Sequence, residues 1–279
     1  MPFPRLLPVL ALLPLASIVG CAPNAGDHAV FGSVSRIGRA TSGERWESDD
    51  AIRLATTGPI AVEIDSFAGS VLVTTGSHLT ETIVRVERAA VHGFSRYDEA
   101  GDALAEITYT VDLRRGDSGE EIVAIRTDNG DAETAMTRAN VIIETPELDR
   151  VRIRTTRGDV QVYDFRGGVD VVTSDGDVRV ATNWPARDAV SIVTRDGDVE
   201  YMVRGESTAA FDVETKNGEV SHRCRYSRVL AVDQGNRAHR FRGILNGGEN
   251  PVVIRTTNGD VSIEVVPDPR GAGEFLLGR

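Results

Sequence analysis

Residues 190–203 read Val190-Ser-Ile192-Val-Thr194-Arg-Asp-Gly197-Asp198-Val199-Glu-Tyr201-Met-Val203. Val190, Ile192 and Thr194 alternate with outward positions before the glycine, and Val199, Tyr201 and Val203 do so after it. A period of two, rich in β-branched residues, means strands with one face turned inward. The Asp-Gly between the two arms supplies the positive φ of a tight turn, which glycine adopts without a Cβ penalty.

The same block recurs as Thr155-Thr-Arg-Gly158-Asp159-Val160, Thr173-Ser-Asp-Gly176-Asp177-Val178, Thr215-Lys-Asn-Gly218-Glu219-Val220 and Thr256-Thr-Asn-Gly259-Asp260-Val261. Thr127-Asp-Asn-Gly130-Asp131-Ala132 is a further copy, and Ser66-Phe-Ala-Gly69-Ser70-Val71 a decayed one. Glycines 158, 176, 197 and 218 stand about 20 residues apart; Gly259 follows two periods later, with Asp233-Gln-Gly235-Asn236 as a worn copy between. A fixed period of this size signals stacked units. With one Gly turn and one looser turn (Arg166-Gly167-Gly168, or the segment from Trp184 to Asp188) per period, each unit is two strands. The chain is therefore expected to be all-β, a parallel β-solenoid or flattened β-roll of about 20-residue coils with Gly-Asp turns. Thr155, Thr173, Thr194, Thr215 and Thr256 would form an inward ladder beside the turns. The rival is an antiparallel sandwich of hairpins, for which Asp-Gly and Asn-Gly turns are equally suited, although hairpins need no fixed long period. No helical pattern of length is expected between 50 and 266, and the less regular residues 51–125 would form the first coils with a long hairpin.

Composition bounds the partner. The chain of 279 residues carries 31 Lys+Arg against 42 Asp+Glu, a net charge of −11, which argues against a general nucleic-acid binder, whose phosphate contacts need clustered cations. Lys216 is the one lysine, so positive charge rests on arginine.

The stretch from about 55 to 266, with Ala61-Val62-Glu63-Ile64, Pro146 ahead of Val151-Arg-Ile-Arg and the serial Thr-x-x-Gly-Asp-Val copies, resembles the bacterial putative-adhesin domain family of unknown function. The resemblance implies a β-solenoid envelope protein and no assigned catalytic residues.

At the N-terminus Arg5 precedes an apolar run from Leu6 to Val19, broken by Pro8 and Pro14, that is too short for a membrane span of about 20 residues. It reads as a secretory signal. Ile18-Val19-Gly20-Cys21 resembles the bacterial lipobox, which implies cleavage before Cys21 and a diacylglycerol on its thiol. Once Cys21 is acylated only Cys224 remains, which precludes an intramolecular disulfide. The expected organisation is a lipoprotein signal peptide over 1–20, a tether over 21–50 with a reach of roughly 30 Å, the solenoid over 51–266 and a C-terminal tail over 267–279. Val30, Phe31 and Trp46 are candidates within the tether for packing on the domain. Ala22 is compatible with sorting to the outer membrane.

Stacked coils would align Asp159, Asp177, Asp198, Glu219 and Asp260 along one edge. At a strand spacing of about 4.8 Å, adjacent charges in water repel by roughly 0.9 kcal/mol. Asp175, Asp196, Asn217 and Asn258 could complete an oxygen-lined cation ladder; alternatively Arg157, Arg179, Arg195 and Lys216 neutralise the row, or water solvates it. The second is expected, with no metal and no cofactor. A polysaccharide-cleaving β-helix is the competing class, but it needs two carboxylates in unlike environments, and each of these has the same repeated context. The five histidines (28, 78, 92, 222, 239) show no metal-ligand spacing, and the chain is not read as an enzyme. Arg115-Gly-Asp117 and Arg157-Gly-Asp159 are integrin-type tripeptides that the repeat itself explains. Arg237-Ala-His239-Arg240-Phe-Arg242 is a basic island, read as a worn repeat with solvated arginines or as a contact for anionic lipid or glycan. Cys224, in register with Val203, is expected to point inward. The function this supports is a lipid-anchored envelope protein, structural or adhesin-like in its binding, with its membrane reached through the lipid and a glycan or envelope protein as partner.

Overall fold

In the computed structural model, which describes residues 43–92, 97–130, 132, 136–224, 229–233 and 238–272, two ten-stranded sheets face one another across a single apolar core. The elements run β1 (Gly43–Ser48), β2 (Ile52–Leu54), β3 (Ile60–Ser66), β4 (Val71–Thr75), β5 (Thr82–His92), α1 (Tyr97–Glu106), β6 (Thr108–Arg115), β7 (Glu121–Asp128) and β8 (Thr137–Thr145). They continue β9 (Leu148–Thr155), β10 (Val160–Tyr163), β11 (Val169–Val172), β12 (Val178–Ala181), β13 (Val190–Val193), β14 (Val199–Val203), β15 (Ala209–Asn217) and β16 (Val220–Cys224). The chain closes with β17 (Val229–Asp233), β18 (Arg240–Leu245), β19 (Pro251–Asn258), β20 (Val261–Val265) and α2 (Pro269–Ala272).

Each repeat is one coil, with its first strand in one sheet, the glycine turn at one edge, and its second strand in the other sheet. Neighbouring coils pair parallel and in register: Val169 stands between Val151 and Val190, and Val178 between Val160 and Val199. The inward Val, Ile and Tyr ladders are almost wholly buried, with Val151, Val160, Ile192, Val199 and Val261 at 0% exposure. Burying such a side chain contributes about 1.5–3 kcal/mol. The parallel solenoid holds, and the sandwich of hairpins does not occur.

The coils do not stack in chain order. Coil 251–265 lies between coils 190–203 and 209–224, pairing Val261 with both Val199 and Val220, and Val252 with both Val190 and Phe211. At the other end coil 60–75 lies between coils 121–145 and 148–163. Residues 229–233 form the strand β17, antiparallel to β18; of the worn copy read at Asp233-Gln-Gly235-Asn236, all but Asp233 lies outside the described residues. β18 in turn runs antiparallel against β15 and occupies the berth beyond it, so coil 251–265 is inserted one place earlier.

At one end β5 covers β8, β1 and β2 cover β5, and β6 covers β7, all antiparallel; at the other β18 covers β15 and β17 covers β18, while β16 ends its sheet. Helix α1 corrects the expectation of no helix between 50 and 266. Ala100, Leu104 and Ile107 are buried at i, i+4, i+7 spacing, and Asp98 and Glu99 favour the first turn. At the far end Tyr201, Phe211, Phe241 and His222 pack ring against ring, at centroid distances of 6.4, 5.9 and 4.4 Å in succession. β1 falls inside the stretch read as tether, so regular structure begins by Gly43. Arg138 stands 5.3 Å from the centroid of the Trp46 ring. Residues 1–42, with the stretch read as a signal peptide and Cys21, lie outside the described residues.

The turn glycines set the spacing. A Cβ on Gly197, whose φ is 150°, would lie 2.1 Å from the carbonyl oxygen of Gly176. Gly197→Val should therefore lower the melting temperature by about 5 °C or more, from positive-φ strain and the clash together. Ser191→Val, on the outer face, should change it by less than about 2 °C. Equal melting temperatures by circular dichroism would contradict the column.

Candidate functional site

The glycine edge is the most ordered polar feature of the molecule. The carboxylates of this edge cap the backbone of the next coil. Asp159 Oδ1 accepts the N–H of Asp177 at 3.0 Å, Asp177 that of Asp198 at 2.8 Å, Asp198 that of Asp260 at 2.7 Å, and Asp260 that of Glu219 at 2.8 Å. Asn140 does the same for Ser70 at 2.9 Å. Gly130 is not part of this column. Ala139 takes its place, with its carbonyl against Gly69, and Gly130 lies beside Glu106.

A second row runs parallel two residues earlier. Asn217 Nδ2 donates to Asn258 Oδ1 at 2.8 Å, and Asn258 Nδ2 to Asp196 Oδ1 at 2.5 Å. Arg195 Nε donates to the other Asp196 oxygen at 2.7 Å. The Asn258 bond, then that of Arg195, hold the Asp196 carboxyl below its usual range. The inward threonines are buried, and the hydroxyls of Thr194, Thr256 and Thr215 donate to the carbonyls of Gly176, Gly197 and Gly259. One oxygen of each of Asp159, Asp177, Asp198 and Asp260, and both of Asp196, are thus already acceptors. Among the described residues no cluster of three or more His, Cys, Asp or Glu could hold a metal ion.

The outer face of the first sheet carries arginine and carboxylate in alternation. Arg114 pairs with Glu63, Arg126 with Asp65 at 3.9 Å, and Arg152 and Arg154 with Asp170 at 3.6 and 3.5 Å. All of these but Asp170 border a shallow groove of about 410 Å³. The basic island folds into the same face, where Arg240, Arg242 and Arg255 converge on Asp212 at 3.7, 3.4 and 2.7 Å. Burial acts to raise the Asp212 carboxyl, but the bonds and charges of Arg255 and then Arg242 outweigh it and hold it below its usual value. Arg240 and Arg242 are therefore partnered as well as half-exposed and exposed respectively, while Arg237 lies outside the described residues.

The remaining candidates scatter. Arg115-Gly-Asp117 sits in the β6–β7 turn, and in the other tripeptide Gly158 and Asp159 belong to the column. His222 stacks on Phe241, and His239 Nδ1 contacts the Gly218 carbonyl. Cys224 is half-buried in register with Val265 and packs against the core, so its inward direction holds.

A hollow of about 530 Å³ was not anticipated. It lies where the second strands end, opposite the glycine edge, lined by Asp164, Asn183, Trp184, Pro185, Arg204 and Arg270 among others. Trp184 is 44% exposed in the segment read only as a loose turn. An exposed tryptophan in a chain that has two was the available signal.

If the carboxylate row serves the backbone, Asp198→Asn should be nearly neutral, since the amide oxygen still accepts the Asp260 N–H. Asp198→Ala should cost about 1 kcal/mol, as at a lost helix cap. Millimolar Ca²⁺ should add no more stability than NaCl of matched ionic strength. Thermal melts read all three comparisons, and a calcium-specific rise lost in an Asp177→Asn, Asp198→Asn double variant would contradict the assignment.

A family model described as Toastrack DUF4097 matches residues 62–264. No curated protein matches the sequence. Among solved structures the chain is similar to a "putative cell adhesion protein" from Clostridium sporogenes, at 11% identity and a TM-score of 0.55, over 80% of this chain and 100% of that one. A "putative adhesin" from Bacteroides fragilis aligns over 80% of this chain and 97% of its own at 8% identity and a TM-score of 0.32. At 11% identity the first likeness is one of fold.

Proposed function

The chain belongs to the Toastrack DUF4097 family, and from that premise we propose that it is a non-catalytic binding module of the bacterial cell envelope, held to a membrane by a lipid on Cys21. The observation that carries the non-catalytic reading is the engagement of the turn carboxylates. One oxygen of each of Asp159, Asp177, Asp198 and Asp260 accepts a backbone N–H, and the repeated context gives adjacent members no reason to differ in pKa, as an acid and base pair must. The coils then act as a rigid carrier for side chains on the outer faces and in the loose turns, as in other stacked-repeat binders. The names of the structural neighbours are consistent with surface attachment. No helix among the described residues is long and apolar enough to cross a membrane. Attachment is assigned to the Ile18-Val19-Gly20-Cys21 junction, and Ala22 is compatible with outer-membrane sorting. A glycan or an envelope protein is the partner class.

Expressed in a bacterium and fed a palmitate analogue, the full chain should label and sediment with membranes, whereas Cys21→Ser should lose the label. An unlabelled wild-type chain, or label that persists in Cys21→Ser, would overturn the anchor.

A further inference from the structure

We propose that the hollow beside Trp184 binds a neutral saccharide, an inference that deepens the binding-module reading and rests on it. Loose turns from successive coils converge there, and the volume of about 530 Å³ is that of a small-ligand site. The indole of Trp184, 44% exposed, is the largest exposed apolar side chain among the described residues, and Pro185 continues its surface. Arg166 stands 4.2 Å from the ring centroid and braces it, while its own charge meets Glu147 at 3.3 Å.

The polar rim is made of planar groups that are already paired. Arg204 forks onto Glu206 through Nε and Nη2, each at 3.1 Å. Arg270 Nη1 donates to Asp164 Oδ2 at 2.8 Å; Asp164 Oδ1 accepts the Asn183 N–H at 3.1 Å, and Asn183 Oδ1 accepts the Arg270 N–H at 3.4 Å. Asp164 holds its place with a left-handed backbone, φ 56°, and is 8% exposed. Because each guanidinium has its own carboxylate, an anionic ligand would have to break an ion pair to gain one. A wholly apolar ligand would desolvate the pairs without replacing their water. A sugar ring does neither. Its C–H face lies on the indole, and its hydroxyls, donor and acceptor at once, bridge between guanidinium, carboxylate and amide edges.

Trp46→Phe leaves Trp184 as the one tryptophan, so its fluorescence reports on the hollow directly. The full chain carrying that change would be titrated with cellohexaose, maltohexaose and chitohexaose, and with hexagalacturonate as the acidic counterpart. At least one neutral hexasaccharide should give a saturable change. In the chain with Trp46 retained, calorimetric affinity for it should fall about tenfold or more in Trp184→Ala, which is about 1.4 kcal/mol, and less in Trp184→Phe, while Ser191→Val keeps it. No response to the three neutral sugars at millimolar concentration, a response to hexagalacturonate alone, or binding indifferent to Trp184→Ala would overturn the site. The last result would leave the binding-module reading standing. A neutral hexasaccharide that bound through Trp184 and was also cleaved would support the site and overturn the non-catalytic reading instead.

Discussion

From coil 60–75 to coil 209–224, each coil meets the next through a glycine packed against the carbonyl of the glycine before it. A Cβ at Gly158, Gly176, Gly197, Gly259 or Gly218 would come within 2.1–2.3 Å of that oxygen, closer than any side chain can approach. That contact brings the turns into strand-to-strand register, and the other ladders depend on it. The Asp carboxylates reach the next N–H only because the turns superpose, and the threonine hydroxyls reach the glycine carbonyls for the same reason. The Asp ladder has a direction, each member bonding toward coil 209–224, so the backbone polarity of the turns is satisfied one way along the stack.

Identical turns make the stack permissive about order. Val261, Ile263 and Val265 fit beside Val199, Tyr201 and Val203 as well as beside Val220, His222 and Cys224, and they do both. What decides the order is what lies outside the coils. β18 occupies the free edge of β15, and β5 that of β8, so the coils formed by residues 251–265 and 60–75 take interior positions. The result interlocks the chain: a coil at either end is held by a segment distant in sequence.

This explains what was legible in the residues and what was not. Alternation around each glycine, the buried threonines and the parallel pairing follow from local period and turn chemistry, both written in every copy. The coil order is not local, since no side chain in the copy at Gly259 distinguishes its neighbours. Helix α1 was hidden because Gly101, Ala103 and Ala105 dilute its pattern, although Ala100, Leu104 and, just past its end, Ile107 carry the spacing. At the edge, the positions of the carboxylates were readable but their partners were not, because a backbone N–H leaves no trace in composition. Trp184 read as part of a turn, since its exposure depends on how Arg166, Asn183 and the α2 segment meet around it.

The interlocked order is the central claim, and a pair of engineered cysteines tests it. In a Cys224→Ser background, Ser191→Cys with Val253→Cys places the thiols on directly paired strands, about 4.8 Å apart at Cα and within disulfide reach. Ser191→Cys with Asp212→Cys places them two strands apart, about 10 Å, beyond it. Mild oxidation followed by peptide mass spectrometry should find the 191–253 bridge and little of the 191–212 bridge. The reverse outcome would mean that the coils stack in chain order and would contradict the account.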